Sequence, residues 1–284
     1  MLGVSAPEGL AYVEPLIEAY RAGWVGDHVH LGFYDASGPA AEGMAGLGRA
    51  QEAMALLHLE RVGLRDGLRL VDVGCGLGGT LRLVNDRVSG AELTGVNIDP
   101  RQLAVAGEIA ERNGNRLSWR LGDASDLPPL ELRCEAAVSL EAMFHFPDAD
   151  GFLRGAWTML APGGLMAVST ILLGSNADLP PLLTAARTRV VEGFAPWPEP
   201  AMTLPGLIAR AGAAGFEVLD VADLTEAVGP TFDVIAPDVR AETSGSATVE
   251  MARLHRAGAL RYVMLTLRAG SVQGDAQGGG NTQK

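Results

Sequence analysis

Cysteine is nearly missing: Cys75 and Cys134 are the only two in 284 residues. Two thiols so spaced form neither a disulfide framework nor a zinc-ligand pattern. Positive charge is also scarce, with 22 Lys and Arg against 34 Asp and Glu, a formal net charge of −12. No basic patch stands out, which argues against a nucleic-acid partner held by phosphate contacts. The stretch Met1–Glu8 has no basic segment followed by an apolar block, so no secretory leader is expected. No apolar run approaches the length of a membrane span, and no ligand cluster suggests a metal. These absences lead to the expectation of a cytoplasmic protein with no membrane partner. What is present is ordinary globular material, 48% hydrophobic and 20% charged, with enough chain for a large core.

The chain is organised around Leu70-Val-Asp-Val-Gly-Cys-Gly-Leu-Gly-Gly-Thr80. The apolar run ending at Val73 reads as a buried strand. Gly74, Gly76, Gly78 and Gly79 then form a turn without side-chain bulk, and a helix follows from Thr80. Such a turn bends sharply, lets a ligand approach the backbone, and aims free N–H groups of the helix start at it. Glycine spacing alone leaves two cofactor classes open. Gly74, Gly76 and Gly79 match the dinucleotide fingerprint G-x-G-x-x-G, and Gly74, Gly76 and Gly78 match G-x-G-x-G. Asp72 separates them. A carboxylate two residues before the first glycine repels a diphosphate and favours a ligand bearing an amine and a sulfonium. The stretch resembles motif I of the class I S-adenosylmethionine (SAM) methyltransferases.

Further marks follow in order. Leu93–Ile98 is a second strand, and Asp99-Pro100 reads as a helix N-cap with proline at the first helical position. The family pattern has an acid where this chain has Asn97, a neutral and weaker acceptor for a ribose diol. Gln102 stands where relatives carry a ribose-binding Gln. Gly122-Asp-Ala-Ser-Asp-Leu-Pro128, after a third strand at 117–121, resembles the adenine-contacting element, implying roles for Asp123 and Ala124. An Asx-type turn is the plainer role for Asp123. The turn Leu160-Ala-Pro-Gly-Gly164, between a helix at 149–160 and a fifth strand at 165–171, is a second family mark. Residues His30-Leu-Gly-Phe-Tyr34 are similar to an element that folds over the cofactor in small-molecule methyltransferases, implicating Tyr34. Ile98 and Leu140 complete the cofactor set that the resemblance implies.

Strand four, 136–140, leads into Glu141-Ala-Met-Phe-His-Phe-Pro-Asp148. Ligands of open α/β sheets bind beyond such strand ends. The stretch resembles one in O-methyltransferases that act on sugar hydroxyls of natural products, where the histidine is the base and an acid ending strand five assists. That implies His145 as base with Glu141 beside it. Here the matching end of strand five reads Ser169-Thr170, with no carboxylate, which leaves either Glu141, His30 or Asp148 to orient His145 or His145 to act alone. Asp148 itself is more simply a helix cap.

Strand and helix alternation supports an α/β sheet, and the resemblance implies its form: a Rossmann-like, seven-stranded, mostly parallel sheet with helices on both faces and a substrate cap. Its parts are an N-terminal cap segment at 1–40, a SAM-binding domain at 41–270, a cap insertion at about 174–212 and a disordered tail at 271–284. Phe194, Trp197, Met202 and Leu204 are the expected apolar wall of the cap. The expected function is SAM-dependent methyl transfer to a hydroxyl of a small molecule. C- or N-methylation or a SAM-binding cyclase on the same scaffold is the alternative, and a nicotinamide-dependent oxidoreductase a distant one. A homodimer is left open.

Overall fold

The computed structural model describes residues 10, 12–35, 43–173, 188, 202–235 and 243–270. Seven strands, β1 (Arg69–Val73), β2 (Glu92–Asn97), β3 (Arg116–Leu121), β4 (Cys134–Leu140), β5 (Leu160–Leu173), β6 (Phe216–Asp223) and β7 (Leu260–Ala269), form one sheet. Their order is β3-β2-β1-β4-β5-β7-β6. Strands β1 to β5 are parallel, and β7 runs antiparallel to both β5 and β6. The chain goes outward through β2 and β3 on one side of β1, then crosses back to β4 on the other. The crevice beyond the carboxyl ends of β1 and β4 is therefore the switch point where such sheets take ligands.

The helices are α1 (Val13–Arg21), α2 (Gly43–Arg61), α3 (Gly79–Arg87), α4 (Pro100–Ala106), α5 (Ala149–Met159), α6 (Leu204–Ala213), α7 (Thr225–Ile235) and α8 (Thr243–Arg256). Two cores flank the sheet. Met54, Leu59, Leu81, Phe232 and Leu254 pack with Leu70 and Val138 on one face. Phe152, Leu153, Leu207 and Ala211 pack with Val71, Val73 and Ala137 on the other. Alternate residues of β1 and β4 thus enter opposite cores, which explains their nearly continuous apolar runs.

Three differences from the sequence reading have local causes. Residues 8–24 read as a helix with Pro15 as a kink or restart; in α1, which begins at Val13, Pro15 sits in the first turn, where its missing N–H is not needed. Helix α7 has no counterpart in the sequence reading. Its Gly229-Pro230 pair resembles a turn signal, yet burial of Val228, Thr231 and Phe232 overrides it. Met202 and Leu204 pack against the second core instead of forming a wall over the site. Of the rest of the expected cap, Phe194 and Trp197 lie outside the described residues, as does the expected tail at 271–284.

Candidate functional site

The glycine turn is bent by left-handed backbone. Gly74, Gly76 and Gly78 have φ of 81°, 53° and 85°. The N–H groups of Gly74 and Cys75 both donate to the Val96 carbonyl, at 2.8 and 3.1 Å, which seats the turn on β2. A Cβ on Gly74 would lie 2.4 Å from Ala142 Cβ, so the turn packs under the β4 end. A Cβ on Gly76 would touch only Val29 Cγ2, at 3.4 Å. Gly78 answers to a different need: its Cβ would strike Trp119 and Ile109, and the residue does not line the cavity described next.

A cavity of about 1110 Å³ opens over the carboxyl ends of β1 to β4. Asp72, Gly74 and Gly76 line it from β1 and its turn. Asn97, Ile98 and Gln102 line it from the β2 end, Asp123 and Ala124 from the β3 end, and Leu140, Glu141 and His145 from the β4 end. The sequence candidates converge here except two. Gly78 faces the packing against β3. Tyr34 lies outside the cavity lining, and its N–H donates to the Ala227 carbonyl of α7 at 3.0 Å.

Asp72 is 2% exposed and makes no hydrogen bond or ion pair with another described residue. Burial alone raises its carboxyl to about 7. Burial, and then the nearby Asp72, push the Cys75 thiol well above its ordinary range, so it is not a nucleophile. At the β2 end, the Asn97 amide donates to Gln102 Oε1 at 2.8 Å, and its oxygen accepts the Ile98 N–H at 2.9 Å. That leaves the Gln102 amide nitrogen as an open donor. Asp99 caps α4 through the Arg101 N–H and pairs with the Arg101 guanidinium at 2.6 Å, outside the cavity lining. Asp123 Oδ1 accepts from the Ser125 N–H at 2.8 Å, the Asx-type turn, while the residue still faces the cavity.

Among the described residues no carboxylate is bonded to His145. Glu141 accepts from the Leu31 N–H at 2.8 Å, and Asp148 caps α5 through the Gly151 N–H at 2.8 Å. His30 is bonded to the Leu31 carbonyl and to His28. His145 Nδ1 is buried without a hydrogen-bond partner. Its ring lies against Phe144, with centroids 3.9 Å apart, and is stacked with Tyr12 at 6.2 Å. Burial in this aromatic setting lowers the imidazole to about 4 and keeps it neutral.

Sequence reasoning missed much of the cavity's outer wall. The strap that follows α1, residues 22–35, brings Asp27, His28 and Val29 over the glycine turn, and Asp27 is tied to Arg82 of α3. Helix α7 adds Thr231 and Phe232. The aromatic, histidine-bearing composition of 27–35 is the one signal that pointed to the strap.

Comparison with known proteins bears on this geometry. A family model described as "Methyltransferase domain" matches residues 70–164. Methyltransferase GfsG of Streptomyces halstedii is 31% identical over 269 residues, 90% of this chain and 91% of that protein. The chain belongs to the class I SAM-dependent methyltransferases. Erythromycin 3''-O-methyltransferase of Saccharopolyspora erythraea is 31% identical over 223 residues, 75% of this chain and 70% of that protein. The solved structure of the [4+2]-cyclase SpnF matches with a TM-score of 0.69 at 22% identity, over 91% of this chain and 92% of that one, and so shares the fold. The protein is thus an enzyme of SAM-dependent methylation, or closely related SAM chemistry, on a small-molecule acceptor.

Proposed function

We propose that SAM lies across the ends of β1, β2 and β3, with a small molecule of largely apolar body against the β4 end. The observation that carries this is Asp72: a buried carboxylate, facing a cavity, with no cation of the described chain beside it. A buried charge in that state is costly unless a ligand pairs with it. The amine of SAM fits that role, and a diphosphate does not. When bound, SAM supplies an electrophilic methyl on sulfur. The chain's part is to hold and orient. Gly74 and Gly76 keep side-chain bulk out of the turn, and the first turn of α3 offers N–H groups to a carboxylate. Asn97 and Gln102 offer an acceptor and a donor to the ribose hydroxyls, while Ile98 and Leu140 provide apolar walls. The second oxygen of Asp123 and the Ala124 N–H suit an adenine edge. Isothermal titration checks this: wild type binds SAM and S-adenosylhomocysteine, and Asp72→Ala loses that binding. Unchanged affinity in the variant removes Asp72 from the site.

The acceptor atom depends on what base is at hand. A buried imidazole at about 4 without a carboxylate partner is a weak base. That favours chemistry asking little of a base, namely methylation of a carbon or a SAM-bound cyclisation. Transfer to a hydroxyl with His145 as base is the second reading. Its support is the place of His145 at the β4 end and the 31% identity to the erythromycin O-methyltransferase. A screen of apolar metabolites with labelled SAM, with fragment mapping of the product, separates the two. A methyl on oxygen overturns the first reading, and a methyl on carbon or an unmethylated ring product overturns the second.

A further inference from the structure

Glu141 has three features that a general base does not need. Its backbone is left-handed, with φ of 53°, a conformation that a non-glycine residue keeps only where its surroundings enforce it. Its own N–H donates to Ser169 Oγ at 3.1 Å. Its carboxyl accepts from the Tyr262 hydroxyl and, through Oε2, from the Leu31 N–H at 2.8 Å. Ser169 and Tyr262 are joined at 3.1 Å. The result is a closed ring over β4, β5 and β7, in which Ser169 stands where relatives of the resembled family carry an acid.

The ring connects outward to the Leu31 N–H of the strap, in the His30–Leu31 peptide. The Leu31 carbonyl, in the next peptide, is bonded to His30 Nδ1 at 2.9 Å, and the N–H of that next peptide, on Gly32, donates to Thr231 Oγ1 at 2.9 Å. A carbonyl only accepts, so His30 Nδ1 carries the proton. His30 is neutral, lowered well below its ordinary range by burial, so His30 Nε2 is an acceptor. His28 Nδ1, 3.2 Å away, is then the donor, and His28 Nε2 is left as a lone pair on the cavity side of the strap. The proton positions of both histidines follow from the Leu31 carbonyl, and Leu31 is fixed by Glu141 at its own N–H and by Thr231 at the following Gly32 N–H.

We propose that Glu141 is a positioning residue, a latch by which the Ser169–Tyr262 pair of the sheet holds the Leu31 N–H and so, together with the Thr231 bond to Gly32, sets the residue whose carbonyl orients the His28–His30 pair at the cavity. The latch is read in the free protein, so it stands or falls independently of the acceptor; only its effect on SAM affinity rests on the proposed function. The test compares Glu141→Ala, Glu141→Gln and Tyr262→Phe by amide hydrogen exchange and by imidazole ¹⁵N shifts. In Glu141→Ala the Leu31 amide exchanges about tenfold faster or more, as for one lost hydrogen bond, and the His28 and His30 shifts move toward tautomer averaging. Glu141→Gln keeps an oxygen for Leu31 and restores both readouts. Tyr262→Phe, which cuts the ring at its far end, falls between. SAM affinity drops in Glu141→Ala and returns in Glu141→Gln. If Glu141→Ala does not fold, Tyr262→Phe against wild type carries the comparison. Wild-type exchange at Leu31 and unmoved histidine shifts in Glu141→Ala, or in Tyr262→Phe where only that variant folds, overturn the latch. So does a Glu141→Gln variant that fails to restore them.

Discussion

At the scale of single residues, the same side-chain types take different roles according to what surrounds them. Asp99, Asp123 and Asp148 each accept from a backbone N–H two or three residues ahead, the local bond that short carboxylates favour. Asp72 has no such neighbour because it lies inside a strand, and its exception is what marks the site. His145 is similarly set apart by the lack of a partner. His145→Gln therefore discriminates the readings of the acceptor atom. If the acceptor is carbon, single-turnover rates fall by less than about tenfold. If it is a hydroxyl, they fall by about 10²–10⁴-fold, the usual worth of a placed base. SAM affinity measured by titration stays near wild type in either case, since no cofactor role is assigned to this imidazole.

At the scale of elements, the glycine turn shows that adjacent glycines answer to different constraints. Gly74→Ala places a Cβ 2.4 Å from that of Ala142 at φ of 81°, with backbone strain added to a clash. A loss of about 2–4 kcal/mol in urea unfolding is expected. Gly76→Ala meets only Val29 Cγ2 at 3.4 Å, so it costs the fold about 1–2 kcal/mol of backbone strain. Its Cβ stands in the space a cofactor needs, so titration should find SAM binding weakened much more than in proportion to stability. Equal effects of the two variants on both readouts contradict this division. The turn and the caps at Asp99 and Asp148 were legible because their signals are local: a few residues fix each; strand alternation showed an α/β sheet, and the seven-stranded arrangement came from the family resemblance. Helix α7 was not legible, and of the strap only its covering place was, through the resemblance at His30–Tyr34. The strap has no period of its own and is held by bonds to β4, α2 and α7, far away in sequence. Helix α7 carries a glycine and a proline that argue against it locally, and only its packing on α8 and β7 decides. Gly78 and Tyr34 fit the motifs by position, but position in a motif does not say which way a residue faces.

At the scale of the whole molecule, the site is built at a cost that the ligand offsets, and pH exposes the exchange. Asp72 is raised from 3.8 to about 7, and Glu141 from 4.5 to about 8, chiefly by burial. In such a state the native carboxyl binds protons that the unfolded chain has released. Stability from these groups is full below about 4 and is lost as pH rises through about 7 and 8. His58 and His145 act with the opposite sign. Both are lowered to about 4 by burial, so their stability is full above 6.5 and is lost as pH falls toward 4. The two effects oppose each other between about 4 and 6.5, and above 6.5 only the carboxyls remain. The ligand-free protein should therefore lose melting temperature between pH 6.5 and 8, and Asp72→Asn should flatten that slope. On the proposed function SAM pairs with the ionised form of Asp72, so its affinity should rise over the same interval as the proton leaves. Stabilisation by a ligand grows as RT ln(1 + [L]/Kd), so the SAM-induced rise in melting temperature should be larger at pH 8 than at pH 6. Thermal melts with and without saturating SAM across this range check it. A ligand-induced shift that is flat with pH in wild type, or equally steep in Asp72→Asn, would mean that the buried carboxylate is not the group the cofactor completes.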